Sequence, residues 1–416
     1  MIRLSIANRA LGLRGGIVLP ASKSISNRAL LLSQLCADGP APLSNLADCE
    51  DTRVMREALL GSTSQQVNRS TSRFADVSLT YGLVDPKTID VRGAGTAMRF
   101  LTAYFAQCEG VNVVLTGIER MRQRPIAPLV NALRALGADI SYMEKEGCPP
   151  LHIHGCRLKG DTICVDGSIS SQYVSALLMI APMTRASRLT LTGRIVSRPY
   201  IEMTRALMEH FGIKTTWEDE HTLLIPSSTY RAKPLTIEGD WSAASYWLAF
   251  EAIAKQQNIP YDVTLEGLQT PSLQGDSVCA ELLRSTSQID FTDCPDLVQT
   301  TAVAYCLLGK PFVFTGTESL RIKETDRIAA LITELGKLGY ELHYEDGTLR
   351  WEGKRSQHVN KSIATYNDHR MAMAFALAAM TLEYVVIENP EVVSKSYPGF
   401  WDDLRKVGFK VEEIKN

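Results

Sequence analysis

The segment GTAMRFLTAYFA at residues 95–106, followed by LVNALRALGADISY at residues 129–142, decides the fold. The first part begins with glycine and is apolar on nearly every side, as expected of a helix buried inside a protein. The second part is amphipathic, reaches a glycine and turns into a strand. A buried helix, a surface helix and short strands therefore form one unit of an α/β protein.

This pair of helix types recurs along the 416 residues. Buried helices are predicted at 24–36, 95–106, 170–182, 240–254, 296–309 and 368–380. Amphipathic helices that lead into strands are predicted at 129–142, 204–217, 331–344 and 402–413, with looser copies at 55–67 and 279–291. Six units of about 70 residues are too long for common solenoid repeats, so we expect closed domains in a two-by-three arrangement.

Composition excludes several classes of protein. Apolar residues make up 45% of the chain, and 46 acidic against 44 basic residues leave a formal charge of −2. These values are typical of a globular protein and indicate no affinity for nucleic acid. The arginine-containing N-terminus lacks a secretory pattern, and the apolar segment at 371–382 is too short to span a bilayer. Nine scattered cysteines favour reduced thiols in the cytoplasm.

One cysteine and histidine cluster is a possible zinc site. Cys148, His152, His154 and Cys156 lie within nine residues and offer sulfur and imidazole ligands. The alternation from Leu151 to His154, however, favours a strand with one solvated face, and no second cluster completes the site. We therefore expect no metal.

Candidate anion-binding residues occur where buried helices begin. Lys23 and Arg28 flank Ser24, which we expect to cap the first buried helix and expose free N–H donors. The glycines of GAGT at 93–96 would allow ligand oxygens to approach the backbone before the helix that carries Arg99. These positions favour a phosphate or a carboxylate ligand.

An arginine-rich loop adds further positive charge. Arg120, Arg122 and Arg124 are two residues apart, so an extended chain would place all three on one side. Neutral donors are also present, and they suit a phosphate or sugar-like hydroxyls: Ser170, Ser171, Gln172, Ser197 and Tyr200. Capping is the alternative role of these serines.

The second half of the chain contributes the acids. Asp296 precedes a buried helix, so it is either a helix cap or a functional carboxylate. Lys323 and Arg327 would share a helical face despite their like charge, and a doubly charged ligand would relieve their repulsion. Glu324 lies between them, and carboxylates among convergent cations indicate proton transfer.

A second cationic group follows at the start of the last buried helix. Asn367, Asp368, His369 and Arg370 are consecutive there, and Lys395 precedes a turn. We expect His369 to contact another side chain rather than to act catalytically. Cations at separate helix starts in a nearly neutral chain imply a compact anionic ligand.

Together these motifs resemble the 5-enolpyruvylshikimate-3-phosphate (EPSP) synthase family over nearly the whole chain. The matching segments are LPASKSISNRA, GAGTAMR, RMRQRP, DGSISSQ, SRPY, PD, RIKETDR, NDHRM and SKSYPGF. The resemblance implies an α/β fold of two domains, each an inside-out α/β barrel of three βαβαββ units. It implies domains at 1–20 plus 239–416 and at 21–238, with hinges at Pro20–Ala21 and about Glu238–Asp240.

The family transfers the enolpyruvyl group of phosphoenolpyruvate to the 5-hydroxyl of shikimate 3-phosphate and releases phosphate, without metal or organic cofactor. By motif, the residues expected to bind shikimate 3-phosphate are Lys23, Ser24, Arg28, Ser170, Ser171, Gln172, Ser197, Tyr200, Asp296, Ser319 and Lys323. Those expected around phosphoenolpyruvate are Lys23, Gly95, Arg124, Gln172, Arg327, Arg370 and Lys395.

The resemblance also implies catalytic roles. Asp296 would take the hydroxyl proton, Glu324 would exchange the proton at the methylene carbon, and Lys23 would stabilise charge on the bridging oxygen. We expect a cytoplasmic monomer whose only partners are the two small substrates.

Three positions depart from the family pattern. Ser319 replaces a common asparagine, Phe100 replaces a frequent proline, and Gly93 replaces the usual asparagine. The first departure affects one shikimate-phosphate contact. The other two are close in sequence to Gly95, so the resemblance leaves sensitivity to glyphosate, an inhibitor of the family, open.

Two other functions fit parts of this pattern. UDP-N-acetylglucosamine enolpyruvyl transferase shares the fold, but it usually has asparagine after the first lysine, where this chain has Ser24, and the loop from Arg120 to Arg124 lacks cysteine. A non-catalytic sensor of phosphorylated metabolites would need the cations but neither Asp296 nor Glu324.

Overall fold

The computed structural model describes residues 1–66, 86–285, 287–357 and 359–414. The chain forms two compact units, each built from discontinuous segments. The first unit comprises Met1–Lys23, Ala47–Cys49 and Ile237–Asn416, and the second comprises Ser24–Leu46 and Glu50–Thr236. Within the described residues, none of the helices has both the length and the apolar character needed to cross a membrane.

Elements are numbered along the chain. The strands of the first unit are β1 (Ile2–Ile6), β2 (Leu13–Val18), β13 (Tyr261–Glu266), β14 (Gln288–Asp290), β15 (Phe312–Thr315), β16 (Tyr340–Glu345), β17 (Thr348–Arg355), β18 (Ser362–Ile363), β19 (Val385–Ile387) and β20 (Phe409–Glu413). Its helices are α8 (Trp241–Gln256), α9 (Cys279–Arg284), α10 (Val298–Leu307), α11 (Arg327–Lys337), α12 (His369–Ala376) and α13 (Phe400–Val407).

The second unit contains the remaining elements. Its strands are β3 (Leu43–Ser44), β4 (Lys87–Asp90), β5 (Asn112–Thr116), β6 (Asp139–Tyr142), β7 (Leu151–His154), β8 (Thr162–Asp166), β9 (Arg188–Thr192), β10 (Thr216–Trp217), β11 (Thr222–Leu224) and β12 (Leu235–Thr236). Its helices are α1 (Lys23–Gln34), α2 (Glu50–Gln66), α3 (Gly95–Gln107), α4 (Glu119–Arg122), α5 (Ala127–Ala135), α6 (Ser171–Thr184) and α7 (Arg198–His210).

Strand order confirms the predicted repeat. The described strands form four-stranded sheets in the orders β4-β5-β7-β6 and β8-β9-β11-β10 in the second unit, and β14-β15-β17-β16 and β18-β19-β1-β20 in the first. In each sheet one pair is parallel and the other two pairs are antiparallel. The parallel pair brackets the buried helix, and in three of these sheets the order along the chain is βαβαββ. In the fourth sheet β18, α12, β19, α13 and β20 follow one another, and β1 from the start of the chain supplies the remaining strand. Two two-stranded parallel sheets, β2 with β13 and β3 with β12, complete the described sheets.

The helices alternate as the apolar pattern predicts. The buried type corresponds to α1, α3, α6, α8, α10 and α12, and every residue of α10 and α12 is buried. The amphipathic type corresponds to α2, α5, α7, α9, α11 and α13. The looser copy predicted at 55–67 falls within α2 up to Gln66, and its last residue lies outside the described residues. The short helix α4 is not part of the predicted repeat.

Helix starts agree with the sequence at some positions and differ at others. Side-chain caps are observed at Ser170, Asp240 and Asp368. The helix α1 begins at Lys23, so Ser24 lies inside the first turn rather than at the cap. The prediction that Asp296 is a possible cap is wrong, because this residue lies in a 3-10 helix, Pro295–Leu297, and Leu297 occupies the N-cap of α10.

The cysteine and histidine cluster forms part of a sheet. The strand β7 confirms the extended chain predicted from Leu151 to His154. The His152 Nε2 atom lies 2.8 Å from the Oδ1 atom of Asn112, within hydrogen-bond distance. Within the described ranges, no group of three or more His, Cys, Asp or Glu side chains is arranged to hold a metal ion.

Candidate active site

The guanidinium of Arg28 joins four helices of the second unit. From α1 it donates through Nε to Oγ1 of Thr204 on α7 (2.7 Å) and through Nη2 to Oγ of Ser175 on α6 (3.0 Å). The rings of Phe100 on α3 and Tyr200 on α7 lie 5.3 and 5.7 Å from its Cζ atom. Phe100, one of the departures from the family pattern, therefore contacts a predicted substrate arginine.

Arg28 carries positive charge at low solvent exposure. Burial lowers the pKa of Arg28 to about 10, although the nearby Tyr200 opposes this shift. Its hydrogen bonds go to hydroxyl and carbonyl oxygens, and no carboxylate among the described residues forms an ion pair with it. A charged guanidinium without a carboxylate partner is suited to bind a phosphate or carboxylate ligand.

The starts of α3 and α6 meet beside this arginine. The Nε2 atom of Gln172 donates to Oγ1 of Thr96 across the two helices (3.2 Å). Ser170 caps α6 by accepting a hydrogen bond from the backbone N–H of Gln172 (3.3 Å). Ser197, in the left-handed conformation with φ of 55°, precedes α7. Helix N-termini at these positions favour anionic ligands.

Gly95 and Arg124 lie side by side in the second unit. An ideal Cβ atom at residue 95 would lie only 2.6 Å from Nη1 of Arg124. The buried Arg99 fixes the backbone at both places, because it donates to the carbonyl oxygen of Gly95 (3.3 Å) and to that of Pro125, the residue after Arg124 (3.0 Å). Two residues predicted to contact phosphoenolpyruvate are thus adjacent.

The prediction for the arginine loop is wrong in its geometry. Residues 119–122 form the helical turn α4, so the three arginines do not share one side of an extended chain. Arg122 instead pairs with Glu144 at 3.0 Å. Arg124 is buried next to Gly95. A local helix therefore separates side chains that strict alternation would have grouped.

In the first unit, Asp296 lies at the centre of a cationic cluster. Its Oδ1 atom accepts from Nη1 of Arg327 (2.9 Å), and its Oδ2 atom accepts from Nη2 of Arg370 (3.0 Å). The Nζ atom of Lys323 lies 3.7 Å from Oδ1. Burial raises the pKa of Asp296, but Arg370, Lys323 and Arg327 outweigh burial and hold it well below its usual range. The carboxylate is therefore ionised at neutral pH.

Arg327 connects three carboxylates. Its side chain is 2% exposed, and it donates to Asp296, to Oε2 of Glu324 (2.9 Å) and to Oδ2 of Asp368 (2.7 Å). Burial lowers the pKa of Arg327, but Asp368, Glu324 and Asp296 raise it above the ordinary value. The arginine remains charged.

The predicted helical face of Lys323 and Arg327 is not formed. Lys323 is extended, and α11 begins only at Arg327. Both cations nevertheless meet at Asp296. Protein carboxylates therefore offset the repulsion between them, which we expected a ligand to relieve. Ser319 is half-buried in the preceding 3-10 helix, Glu318–Ile322.

Two lysines complete the group in the first unit. The backbone N–H of Lys23 donates to Oδ2 of Asp240, the cap of α8 (3.4 Å). The Nζ atom of Lys395 donates to the carbonyl oxygen of Asn367 (2.6 Å) and to its Oδ1 atom (2.9 Å). Tyr366 and Asn367 both have positive φ angles, 52° and 56°, so a left-handed turn presents this acceptor.

His369 lies inside the same cluster. Its Nδ1 atom is 3.8 Å from Oδ1 of Asp368. Burial lowers the pKa of His369, and the positive charges of Lys23 and Arg370 lower it further, to well below its usual range. The imidazole is therefore neutral at physiological pH.

Two residues of this cluster were not predicted from the sequence. The hydroxyl of Ser242, at the start of α8, accepts a hydrogen bond from Nη2 of Arg370 (3.3 Å) and donates one to Oδ2 of Asp276. Asp276 is 2% exposed. Asp276 was visible in the sequence as the acid of the QGD segment at 274–276. An acid in such a segment is usually exposed, and a single sequence does not show that this one is buried.

The predicted substrate residues therefore form two groups. The second unit holds Ser24, Arg28, Gly95, Arg124, Ser170, Ser171, Gln172, Ser197 and Tyr200. The first unit holds Lys23, Asp296, Ser319, Lys323, Glu324, Arg327, Arg370 and Lys395.

Comparisons with known proteins identify relatives of the chain. A family model described as EPSP synthase (3-phosphoshikimate 1-carboxyvinyltransferase) matches residues 10–287 and 283–404. A protein of Bacteroides fragilis named 3-phosphoshikimate 1-carboxyvinyltransferase is 47% identical, over 96% of this chain and 97% of its own. One from Aliivibrio fischeri with the same name is 37% identical, over 95% and 97%.

Solved structures share the fold. EPSP synthase from Acinetobacter baumannii aligns with a TM-score of 0.72 at 20% identity, covering 99% of this chain and 100% of the other. The enolpyruvyl transferase NikO from Streptomyces tendae aligns with a TM-score of 0.68 at 15% identity, covering 100% and 99%. The sequence matches, which extend over nearly the full length, identify the family itself, and the chain belongs to the EPSP synthase family.

Proposed function

We propose that the two groups of residues serve one reaction, the 3-phosphoshikimate 1-carboxyvinyl transfer of this family. The enolpyruvyl group of phosphoenolpyruvate passes to the 5-hydroxyl of shikimate 3-phosphate, and phosphate is released. The observation that carries the proposal is the Asp296 carboxylate, which Arg327, Arg370 and Lys323 surround. Proton acceptor and anion-binding cations thus lie in one cluster.

Shikimate 3-phosphate is proposed to bind through residues of both groups. Arg28 would contribute a buried positive charge, and the starts of α6 and α7 would donate hydrogen bonds to phosphate and hydroxyl oxygens. The full set is Lys23, Ser24, Arg28, Ser170, Ser171, Gln172, Ser197, Tyr200, Asp296, Ser319 and Lys323.

Phosphoenolpyruvate carries a phosphate and a carboxylate, which match planar guanidinium groups. The guanidinium of Arg124 lies where a side chain at residue 95 would be, and Arg370 and Arg327 lie against Asp296. The full set is Lys23, Gly95, Arg124, Gln172, Arg327, Arg370 and Lys395.

Asp296 is proposed to remove the proton from the attacking hydroxyl. Its low pKa makes it a weak base, because three cations stabilise its negative charge. An anionic substrate that pairs with Arg370 and Lys323 would weaken this stabilisation and raise the pKa of Asp296. Substrate binding itself would thus strengthen the base.

Glu324 and Lys23 complete the chemistry. Glu324, held by Nη2 of Arg327 at 2.9 Å, is proposed to exchange the proton at the methylene carbon of phosphoenolpyruvate. Lys23 is proposed to stabilise negative charge on the bridging oxygen.

We further propose a cytoplasmic monomer with domains at 1–20 plus 239–416 and at 21–238, and with no nucleic-acid partner.

The test is phosphate release from phosphoenolpyruvate. We expect release with shikimate 3-phosphate and none with UDP-N-acetylglucosamine. Asp296→Asn should bind shikimate 3-phosphate but turn over about 10²–10⁴-fold more slowly. Asp293→Asn, an exposed acid three residues earlier, is the matched control and should keep full activity.

Two outcomes would contradict the proposal. Release with the nucleotide sugar alone would assign the chain to the other enolpyruvyl transferase. Binding of shikimate 3-phosphate without any release would indicate a sensor of phosphorylated metabolites.

A further inference from the structure

A buried carboxylate outside the predicted site is connected to it by hydrogen bonds. Asp276 lies in a short 3-10 helix, Gly275–Val278, and accepts a hydrogen bond from Oγ of Ser242. The same Oγ atom accepts from Nη2 of Arg370 at 3.3 Å, and Nη2 also donates to Oδ2 of Asp296 at 3.0 Å. A continuous path therefore leads from Asp276 to the proposed base.

The direction of these bonds depends on the charge of Asp276. A hydroxyl group has one proton, so Ser242 can offer a lone pair to Arg370 only while it gives that proton to another acceptor. An ionised Asp276 is such an acceptor. A protonated Asp276 is itself a donor, and the serine proton is then free to turn toward the guanidinium, where it opposes the bond from Arg370.

Charged and titratable groups of four neighbouring segments face Asp276. Burial raises its pKa to about 6; Arg370 on α12 and the hydrogen bond from Ser242 oppose this shift, whereas Asp296 and Asp240 add to it. Burial raises the pKa of the Cys279 and Cys294 thiols, and the nearby Asp276 raises it further. A buried acid with this environment is costly to folding, which a purely structural role does not explain.

We propose that Asp276 is a positioning residue for Arg370. It fixes the Ser242 hydroxyl so that its lone pair holds the guanidinium against Asp296. The inference rests on the proposed function, in which Arg370 binds phosphoenolpyruvate. Asp276 touches neither substrate in this assignment, so its effect is specific to the one substrate that Arg370 contacts.

Substitution of Asp276 by asparagine tests the proposal, because asparagine imitates the protonated acid at nearly equal size. We expect Asp276→Asn to raise KM for phosphoenolpyruvate about tenfold, equivalent to about 1.4 kcal/mol. KM for shikimate 3-phosphate and its calorimetric affinity should stay within about twofold, and these values also report intact folding. An unchanged KM for phosphoenolpyruvate, or an equal rise for both substrates, would overturn the proposal.

The pH dependence separates positioning from a structural role. The ratio of kcat/KM for phosphoenolpyruvate between the parent and Asp276→Asn should be largest above about pH 7 and approach one well below about pH 6. Titration of the substrate phosphate cancels in this ratio because both enzymes use the same substrate. A ratio that stays constant with pH would contradict the proposed role.

Further variants test the path through Ser242. Ser242→Ala should raise KM for phosphoenolpyruvate by itself, and Asp276→Asn should add nothing in its background. Additive effects would overturn the relay. Asp403→Asn is the matched control, since Asp403 is a buried acid of the same unit that bonds Tyr397 and Lys406 instead. It should leave both KM values unchanged.

The parent enzyme and the two test variants together separate this inference from the proposed function. If the parent enzyme releases no phosphate with either acceptor, the proposed function fails and this inference fails with it. If the parent is active but Asp276→Asn matches it at every pH, only the inference fails. If Asp276→Asn does not bind shikimate 3-phosphate, the Ser242→Ala variant alone tests the inference. An unchanged KM of Ser242→Ala for phosphoenolpyruvate would then overturn the proposal.

Discussion

Arg124 lies so close to Gly95 that residue 95 has no room for a side chain. The nearest atom to an added Cβ would be Nη1 of Arg124, at the far end of a flexible side chain, rather than backbone. The guanidinium would therefore move before the fold does. This makes the glycine a probe of ligand binding rather than of stability.

We expect Gly95→Ala to raise KM for phosphoenolpyruvate at least tenfold, because it displaces Arg124. The free energy of unfolding should change by less than about 1 kcal/mol. Steady-state kinetics and chemical unfolding measure the two effects.

Gly336→Ala is the matched control for this substitution. Apart from the backbone of α11 itself and the two chain neighbours, no atom of the described residues lies within 4 Å of a Cβ at residue 336 in α11. Alanine there should therefore leave both KM values unchanged and stabilise the helix by up to about 1 kcal/mol. An unchanged KM in Gly95→Ala would remove Arg124 from the proposed phosphoenolpyruvate site.

The carboxylate of Glu324 is held by Nη2 of Arg327 at 2.9 Å. Glu324→Gln keeps an oxygen that can accept a hydrogen bond, but the amide can neither take up nor release a proton at neutral pH. We expect kcat to fall about 10²–10⁴-fold while shikimate 3-phosphate binds as before.

Glu318→Gln, an exposed acid in the same loop, is the control and should have the activity of the parent. Turnover of Glu324→Gln within a few-fold of the parent, with binding intact, would place the acid–base role on another residue.

At the scale of elements, the apolar pattern was sufficient to predict the twelve helices of the repeat. Burial imposes this pattern locally, so a single sequence carries it. The side-chain partners were not predictable, since Arg370 and Asp296 are 74 residues apart in the chain. Asp296 shows the consequence: its position before α10 suggested a cap, but three distant cations bind its carboxylate instead.

Two buried groups near α12 give folding stability opposite pH dependences. The pKa of Asp276 is raised to about 6, so the folded state retains this proton longer than the unfolded state, and stability falls as pH rises from about 4 to about 6. The pKa of His369 is lowered, so the unfolded state binds this proton first, and stability falls as pH drops below about 6.5.

We expect Asp276→Asn to be more stable than the parent by roughly 2–3 kcal/mol above about pH 6 and to match it near pH 4. The contribution of His369 cancels in this comparison because both proteins contain it. Urea unfolding across this range measures the difference. A difference that does not vary with pH would contradict the raised pKa, whereas the expected result makes Asp276 a residue that lowers stability and supports function.

At the scale of the whole molecule, the proposed substrate residues are divided between the two units. For phosphoenolpyruvate, the first unit supplies Lys23, Arg327, Arg370 and Lys395, and the second supplies Gly95, Arg124 and Gln172. Neither unit contains the full set, so a ligand that contacts all of it must link both. The chain passes between the units at 23–24, 46–47, 49–50 and 236–237, and the first and last of these positions are next to the predicted hinges.

We therefore expect shikimate 3-phosphate together with phosphoenolpyruvate or glyphosate to reduce the radius of gyration in small-angle scattering. Each ligand should also tighten the other, and the coupling free energy must be the same in both directions, which calorimetry in either order of addition can check. Inorganic phosphate is the control, since it carries charge but has only one anionic group. An unchanged radius with both ligands shown to be bound would mean that the site is complete beforehand and that the hinge prediction is wrong.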